Sequence, residues 1–234
     1  MIHADDQRLT AQPGLRGTTS AVQDYLKAIY KLQQRARPVS TVLIAERLGL
    51  SSAAVSKMLK HLTALRLVEH RRYQGVELTP PGEKIALEVI RHHRLLELYL
   101  VEALGLAWDR VHAEAEVLEH VLSEEVEERI AMLLGHPTHD PHGDPIPGHD
   151  GVLDERAGRR LAEVPTGTRA RVLRVPDRDP QLLRYLGELG LVPQAEVRVV
   201  RREPLEGPLH VQLSGAQATY VLGRDIAEQI AVSW

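Results

Sequence analysis

In the segment HAEAEVLEH, four side chains, His112, Glu116, Glu119 and His120, have the types and the spacing to hold a divalent cation. Imidazole and carboxylate are the nitrogen and oxygen donors that divalent transition metals accept. The spacing i, i+4, i+7, i+8 predicts that all four lie on one face of a single helix, within roughly a quarter of its circumference at ~100° per residue. Along the axis, however, His112 and His120 stand about 12 Å apart at ~1.5 Å per residue, whereas every ligand of one ion lies about 2 Å from it. Two sites are therefore needed. Glu116, Glu119 and His120 can share one ion. His112 must find partners elsewhere, and the preceding helix offers His93 and Glu97 at i, i+4 for a second site. A further stretch, HPTHDPHGDPIPGHD, holds His136, His139, His142 and His149 among acids and prolines and could by itself pass for a metal-binding loop. The competing reading is a solvated Glu-rich face with hydrogen-bonded histidines. A metalloenzyme has little support: there is no HExxH motif, no pair of Glu-x-x-His units and no recognisable nucleophile, so no catalytic residue is assigned.

The chain that must position these groups has 234 residues, enough for two or three modules. It has no cysteine, which excludes disulfides, thiolate zinc sites and iron–sulfur clusters. Its apolar runs fall far short of the ~20 residues that cross a bilayer. The amino terminus, MIHADDQRLTAQPGLRG, lacks the apolar core of a secretory signal, so a cytoplasmic protein is expected. Charge is distributed unevenly. Residues 20–81 hold ten Lys/Arg against four Asp/Glu, a net of +6, and residues 83–135 hold five against twelve, a net of −7. A basic module, suited to a polyanion, precedes an acidic one.

Within the basic module, Val22, Leu26, Ile29 and Tyr30 recur at helical spacing behind Ser20, a candidate cap. Then IAERLGLSSAAVSKMLKHL reads as helix, Gly-containing turn, helix, with Ser40 or Thr41 and Ser51 or Ser52 as caps and Gly49 as the stop. On the second helix Val55, Leu59 and Leu62 should face the core. Ser51, Ser52, Ala53, Ala54, Ser56, Lys57 and Lys60 lie outward, small first and basic later, as suits a helix whose first turns enter the major groove. Leu67–His70 and Gly75–Leu78 read as a hairpin whose basic tip, Arg71 and Arg72, makes a wing. In the acidic module the spacing predicts one helix over Glu83–Leu104, a break at Gly105-Leu106, and one continuous helix from about Asp109 to Leu134. After a Pro/Gly-rich linker, alternating runs at Arg169–Val175, Glu196–Val200, His210–Leu213 and Ile230–Trp234, with a helix at Leu182–Leu189, predict a small β-barrel.

Taken in order, DYLKAIYKL, IAERLGLSSAAVSKMLKHL, RHHRLLELYL, VHAEAEVLEHVLSEEVEERI and DPHGDPIPG resemble the diphtheria-toxin-repressor family of metal-dependent regulators, over about Ser20–Gly148. The resemblance implies that Asp24 joins Glu116, Glu119 and His120 as the primary site, and that His93, Glu97 and His112 form the second. It also implies a homodimer. The iron-sensing branch carries Cys where this chain has Glu116 and Met where it has Asp24. The set here is the sulfur-free one of the manganese branch, and its donors suit Mn(II) while also accepting Fe(II). Short manganese members carry a further Glu where this chain has Lys27. PTGTRARVLRV and LGELGLVPQAEVRVV resemble the FeoA-type, Src-homology-like domain of long members, which implies that Asp177, Asp179 or Gln181 can lend ligands to the second site.

The expected architecture is mainly α with small β. It comprises a flexible tail (1–19), a winged helix-turn-helix DNA-binding domain (20–82), a helical metal-binding and dimerisation domain (83–143), a linker (144–164) and the FeoA-like barrel (165–234). The expected function is a non-enzymatic transcriptional repressor of metal-uptake genes. It would be activated by Mn(II), with Fe(II) as the alternative and other divalent transition metals accepted in vitro. It would bind a palindromic double-stranded operator as a dimer, with no membrane and no small-molecule substrate. A winged-helix regulator indifferent to metal remains the rival reading.

Overall fold

Ser and Thr hydroxyls open the first three α-helices, each accepting from a backbone N–H that has no intrahelical partner. In the computed structural model, which describes residues 15–71, 74–153, 158–215 and 217–234, Thr19 caps α1 (Ser20–Gln33), Ser40 caps α2 (Thr41–Leu48) and Ser51 caps α3 (Ser52–Ala64). The cap of α1 is thus one residue earlier than the Ser20 expected. Leu15–Gly17 form a 3-10 turn, while residues 1–14 of the expected tail, and Arg72 of the expected wing, lie outside the described residues. Gly49 ends α2 at φ 66°, the left-handed conformation that spares glycine a Cβ clash.

The described chain divides into two compact units, one ending at Ile90 and the other spanning Arg91–Trp234. In the first, Leu26, Ile29, Ile44, Leu59 and Leu62 are fully buried. The antiparallel hairpin of β1 (Val68–Arg71) and β2 (Gly75–Leu78) is tied to the helices by reciprocal backbone bonds between Val39 and Val76, and by Leu78 N–H donating to Gln33 Oε1 at 3.0 Å. This is a winged helix-turn-helix. At the start of α4 (Pro80–Glu102), Gly82 passes so close to Leu67 that a Cβ would sit 2.0 Å from its carbonyl oxygen.

The second unit contains the C-terminal part of α4, then α5 (Val111–Leu118) and α6 (Glu124–Leu133). The single helix expected over Asp109–Leu134 is therefore two. Ser123 is the reason: its hydroxyl accepts from Val126 N–H at 3.3 Å, and Glu124, Glu125 and Glu127 place negative charge on the new helix N-terminus. Leu95, Leu96, Ala115, Ile130, Ala131 and Ile146 form the helical core.

The rest of this unit is a six-stranded antiparallel sheet ordered β3-β8-β4-β5-β6-β7. The strands are β3 (Arg159–Arg160), β4 (Arg169–Arg174), β5 (Glu196–Arg202), β6 (Leu209–Leu213), β7 (Thr219–Leu222) and β8 (Ala231–Ser233). Short β3 and β7 were not foreseen. Alternate residues such as Ala170, Val172, Val197, Val199 and Val211 point to a core closed by α7 (Pro180–Leu189), and α8 (Arg224–Ala227) precedes β8.

Helices and sheet of this unit are in direct contact. Trp108 packs on Gly187, where a Cβ would come 3.1 Å from the indole Nε1, and Arg184 pairs with Asp109 at 2.8 Å. Val175 N–H donates to the His142 carbonyl at 3.0 Å. The stretch expected to begin a linker is in part built in, since Ile146 is only 7% exposed. No helix among the described residues is long and apolar enough to cross a membrane.

Candidate metal centre

His93 and Glu97 lie one turn apart on α4, and each is at most 2% exposed. His93 is the hub. Its Nε2 lies 3.0 Å from both His112 Nδ1 and Glu97 Oε1, and its Nδ1 lies 2.5 Å from Glu119 Oε2. His112, on α5, completes the triangle with its Nδ1 2.9 Å from Glu97 Oε1. The expected second set, His93, Glu97 and His112, is thus assembled, with ligand atoms all within 4.8 Å of one another. His93 also groups with Glu116 and Glu119, so two sets read as separate share an edge.

The helix break changes the expected stripe. Glu116 stands on α5 with its side chain 45% exposed, and Glu119 is the C-cap residue, fully buried. His120 follows in the turn, its Nε2 3.6 Å from Glu119 Oε1. The four residues do not share one face of a continuous helix, because α5 ends at Leu118. Asp24 lies on α1 of the first unit. Asp177 approaches the second set, its Oδ2 3.9 Å from His112 Nδ1. Asp179 instead caps α7, accepting from Gln181 N–H at 2.8 Å and Leu182 N–H at 3.3 Å, and Gln181 is exposed.

Of the four histidines in the stretch from His136 to His149, His142 is the one that is buried, at 0% exposure, and with Glu97 and Asp140 it forms a third set of close donors. Its Nε2 meets the Trp108 carbonyl at 2.8 Å. Its Nδ1 and Glu97 Oε2 are buried, make no hydrogen bond and face one another across 3.7 Å. Two buried lone-pair atoms without a hydrogen bond, a carboxylate oxygen and an imidazole nitrogen, are what a cation would satisfy, and so the residues fit a divalent ion. The signals available were the Asx turn of Asp140, whose Oδ1 accepts from His142 and Asp144 N–H at 2.9 Å, and the glycine after it. A Cβ on Gly143 would sit 1.9 Å from the Leu173 carbonyl oxygen.

Electrostatics follow from burial. Desolvation alone would raise the Glu97 carboxyl, but charge on His93, the hydrogen bond from His112 and the nearby His142 ring hold it well below its ordinary value. Desolvation would lower His142, yet Glu97 and Asp140 push it up to about 9. Burial, together with Asp144 and Glu97 nearby, raises Asp140 well above the usual carboxylate range. A proton on His142 thus occupies a place that a cation can take, which couples metal affinity to pH.

In the first unit, Ser51, Ser52, Ala53, Ala54, Lys57 and Lys60 are exposed and Ser56 half-buried, while Val55, Leu59 and Leu62 are inward, as expected. Arg71 is exposed on the hairpin and pairs with Glu69 at 3.5 Å.

A winged helix-turn-helix followed by helices dense in buried His and Glu and by a small β-domain defines the class of metal-dependent transcriptional repressors. Sequence models agree along the chain. Residues 17–76 match the N-terminal DNA-binding domain of iron-dependent repressors, 79–148 their metal-binding and dimerisation domain, and 159–233 the FeoA domain. The chain is 38% identical over 191 residues to the iron-dependent repressor IdeR of Mycobacterium leprae (strain TN), covering 75% of this chain and 81% of that one. It is 36% identical over 156 residues to the diphtheria toxin repressor of Corynebacterium diphtheriae, 66% and 67% of the two chains. Among solved structures, a manganese-dependent transcriptional repressor in complex with manganese superposes with a TM-score of 0.83 at 42% identity, over 90% of this chain and 98% of that one. The manganese regulator SloR does so with 0.73 at 34%, over 91% and 97%. The chain belongs to the iron-dependent repressor family, that of the diphtheria toxin repressor.

Proposed function

We propose that this chain is a Mn(II)-activated repressor of metal-uptake genes that binds a palindromic operator as a homodimer. The observation that carries the metal reading is the buried, sulfur-free cluster centred on His93, Glu97 and Glu119, whose oxygen and imidazole donors suit Mn(II). The primary ion is assigned to Glu116, Glu119 and His120, with Asp24 added by resemblance. A second is assigned to His93, Glu97 and His112, with Asp177, Asp140 and His142 as neighbouring donors. Module boundaries of 20–82, 83–143 and 165–234 go with this reading.

DNA is read by the exposed face of α3 from Ser51 to Lys60 and by Arg71 and Arg72 of the wing. The dimer is supported by apolar side chains left exposed on α5, α6 and the turn between them, including Val117 at 71%, Val121 at 77% and Leu133 at 68%. An ion that binds the DNA-competent arrangement better shifts the population by its differential affinity. Fe(II) is the second reading, favoured by the iron-dependent names of the sequence relatives. Glu119→Gln tests the assignment: metal-dependent DNA binding should vanish while the dimer stays folded, and retention of Mn-dependent binding would refute it.

A further inference from the structure

Two neighbouring histidines of α4 hold Glu119 from different sides. His93 Nδ1 takes its carboxylate at 2.5 Å, and His92 Nδ1 meets its backbone carbonyl oxygen at 3.1 Å. A carbonyl oxygen only accepts, so the proton of that second bond belongs to His92. The other ring nitrogen, Nε2, lies 2.9 Å from Oε2 of Glu127 on α6, and Oε1 of Glu127 accepts from Arg91 Nε. Arg91 also donates to the Pro147 carbonyl at 2.7 Å. The chain of bonds is shielded, with His92 2% and Glu127 6% exposed, and at such low exposure each bond is stronger than it would be in water. Desolvation raises the Glu127 carboxyl, but His92 and Arg91 outweigh it and keep the group below its ordinary value, so the anchor is an anion.

Glu119 is where this grip matters. It sits at the end of α5, where the helical ladder stops fixing the backbone, and its carboxylate points into the cluster. We infer that His92, anchored by Glu127 and Arg91, is a positioning residue for the metal ligand Glu119: by holding the carbonyl it fixes where the carboxylate points. This rests on the assignment of Glu119 as a ligand. Partners in the layer behind metal ligands typically change affinity by about 10–100-fold when removed.

The two amides split the imidazole's functions. In His92→Asn the amide nitrogen falls near Nδ1 and keeps the bond to the Glu119 carbonyl. In His92→Gln it falls near Nε2, keeping the reach to Glu127 and losing the carbonyl. Mn(II) binding to the full-length protein, followed by the paramagnetic resonance of the free ion, should be about 10–100-fold weaker in His92→Gln than in the wild type and weakened less in His92→Asn, which loses only the anchor. Equal weakening in both, which general loss of packing would give, or wild-type affinity in His92→Gln, overturns the inference. Glu119→Gln is the reference: if it binds Mn(II) as the wild type does, the ligand assignment itself fails and the inference with it. A readout free of variants is nitrogen NMR of histidine-labelled wild-type protein. His92 Nδ1 should carry a slowly exchanging proton, and an unprotonated Nδ1 overturns the inference.

Discussion

Raising pH should destabilise the metal-free protein through His142. In the folded chain this ring is raised from an ordinary value of 6.5 to about 9, by Glu97 and Asp140 acting against desolvation. A histidine whose folded value exceeds its unfolded one adds stability that is fully present below about pH 6.5 and is lost as pH climbs through about 9. The difference, roughly 2.5 pH units at about 1.36 kcal/mol each, corresponds to about 3 kcal/mol. Glu97 does not confound the window, because its depressed carboxyl is ionised throughout it and its contribution is lost only in acid. Asp140 acts in the same direction as His142, since a raised carboxyl also costs stability as pH increases. The diagnostic quantity is therefore the difference between wild type and His142→Gln. Urea unfolding in chelator should show the wild type ahead by about 3 kcal/mol more at pH 6 than at pH 9.5. Added metal should reverse the trend, because the ion replaces the proton. A wild-type advantage independent of pH would refute the electrostatic reading of this cluster.

Lys57 and Lys60 are exposed on α3, so Lys57→Ala should weaken DNA binding and, where its ammonium neutralises one phosphate, reduce the slope of log affinity against log salt by about 0.9; anisotropy titrations at several salt concentrations measure this. Ser123→Ala removes the hydroxyl that starts α6 and should cost about 1 kcal/mol, read by thermal unfolding of the metal-free protein. Gly187→Val forces carbon against Trp108, already 3.1 Å from a single Cβ, and should cost about 1–3 kcal/mol with a change in Trp108 fluorescence; an unchanged spectrum and stability would contradict the packing described.

The winged module was legible because local signals decide it. Ser40 starts α2, Gly49 and Ser51 set the turn between α2 and α3, and the period of Val55, Leu59 and Leu62 fixes which face is outward. The α5–α6 break was not read from the sequence, since apolar spacing runs on past Leu118 and a single serine outweighs it by capping the next helix. His93 was read as a ligand, but its contact with Glu119 depends on how α4 meets the turn after α5, which spacing within either element cannot show. That His142 is the buried one of its four histidines depends likewise on contacts distant in sequence, with Trp108 and, through the next residue Gly143, with Leu173 in β4. Strand β3, at two residues, is too short to carry a periodic signal.

The most direct test of the central claim is DNA binding by the chelated protein to fragments of its own genome, with Mn(II), Fe(II) or no metal added back. A Mn(II)-activated repressor should show sequence-specific binding that appears with Mn(II) and is absent in chelator, and the Fe(II) arm ranks the two ions. Equal binding with and without metal would contradict it, leaving a winged-helix regulator whose buried His/Glu cluster serves only the fold.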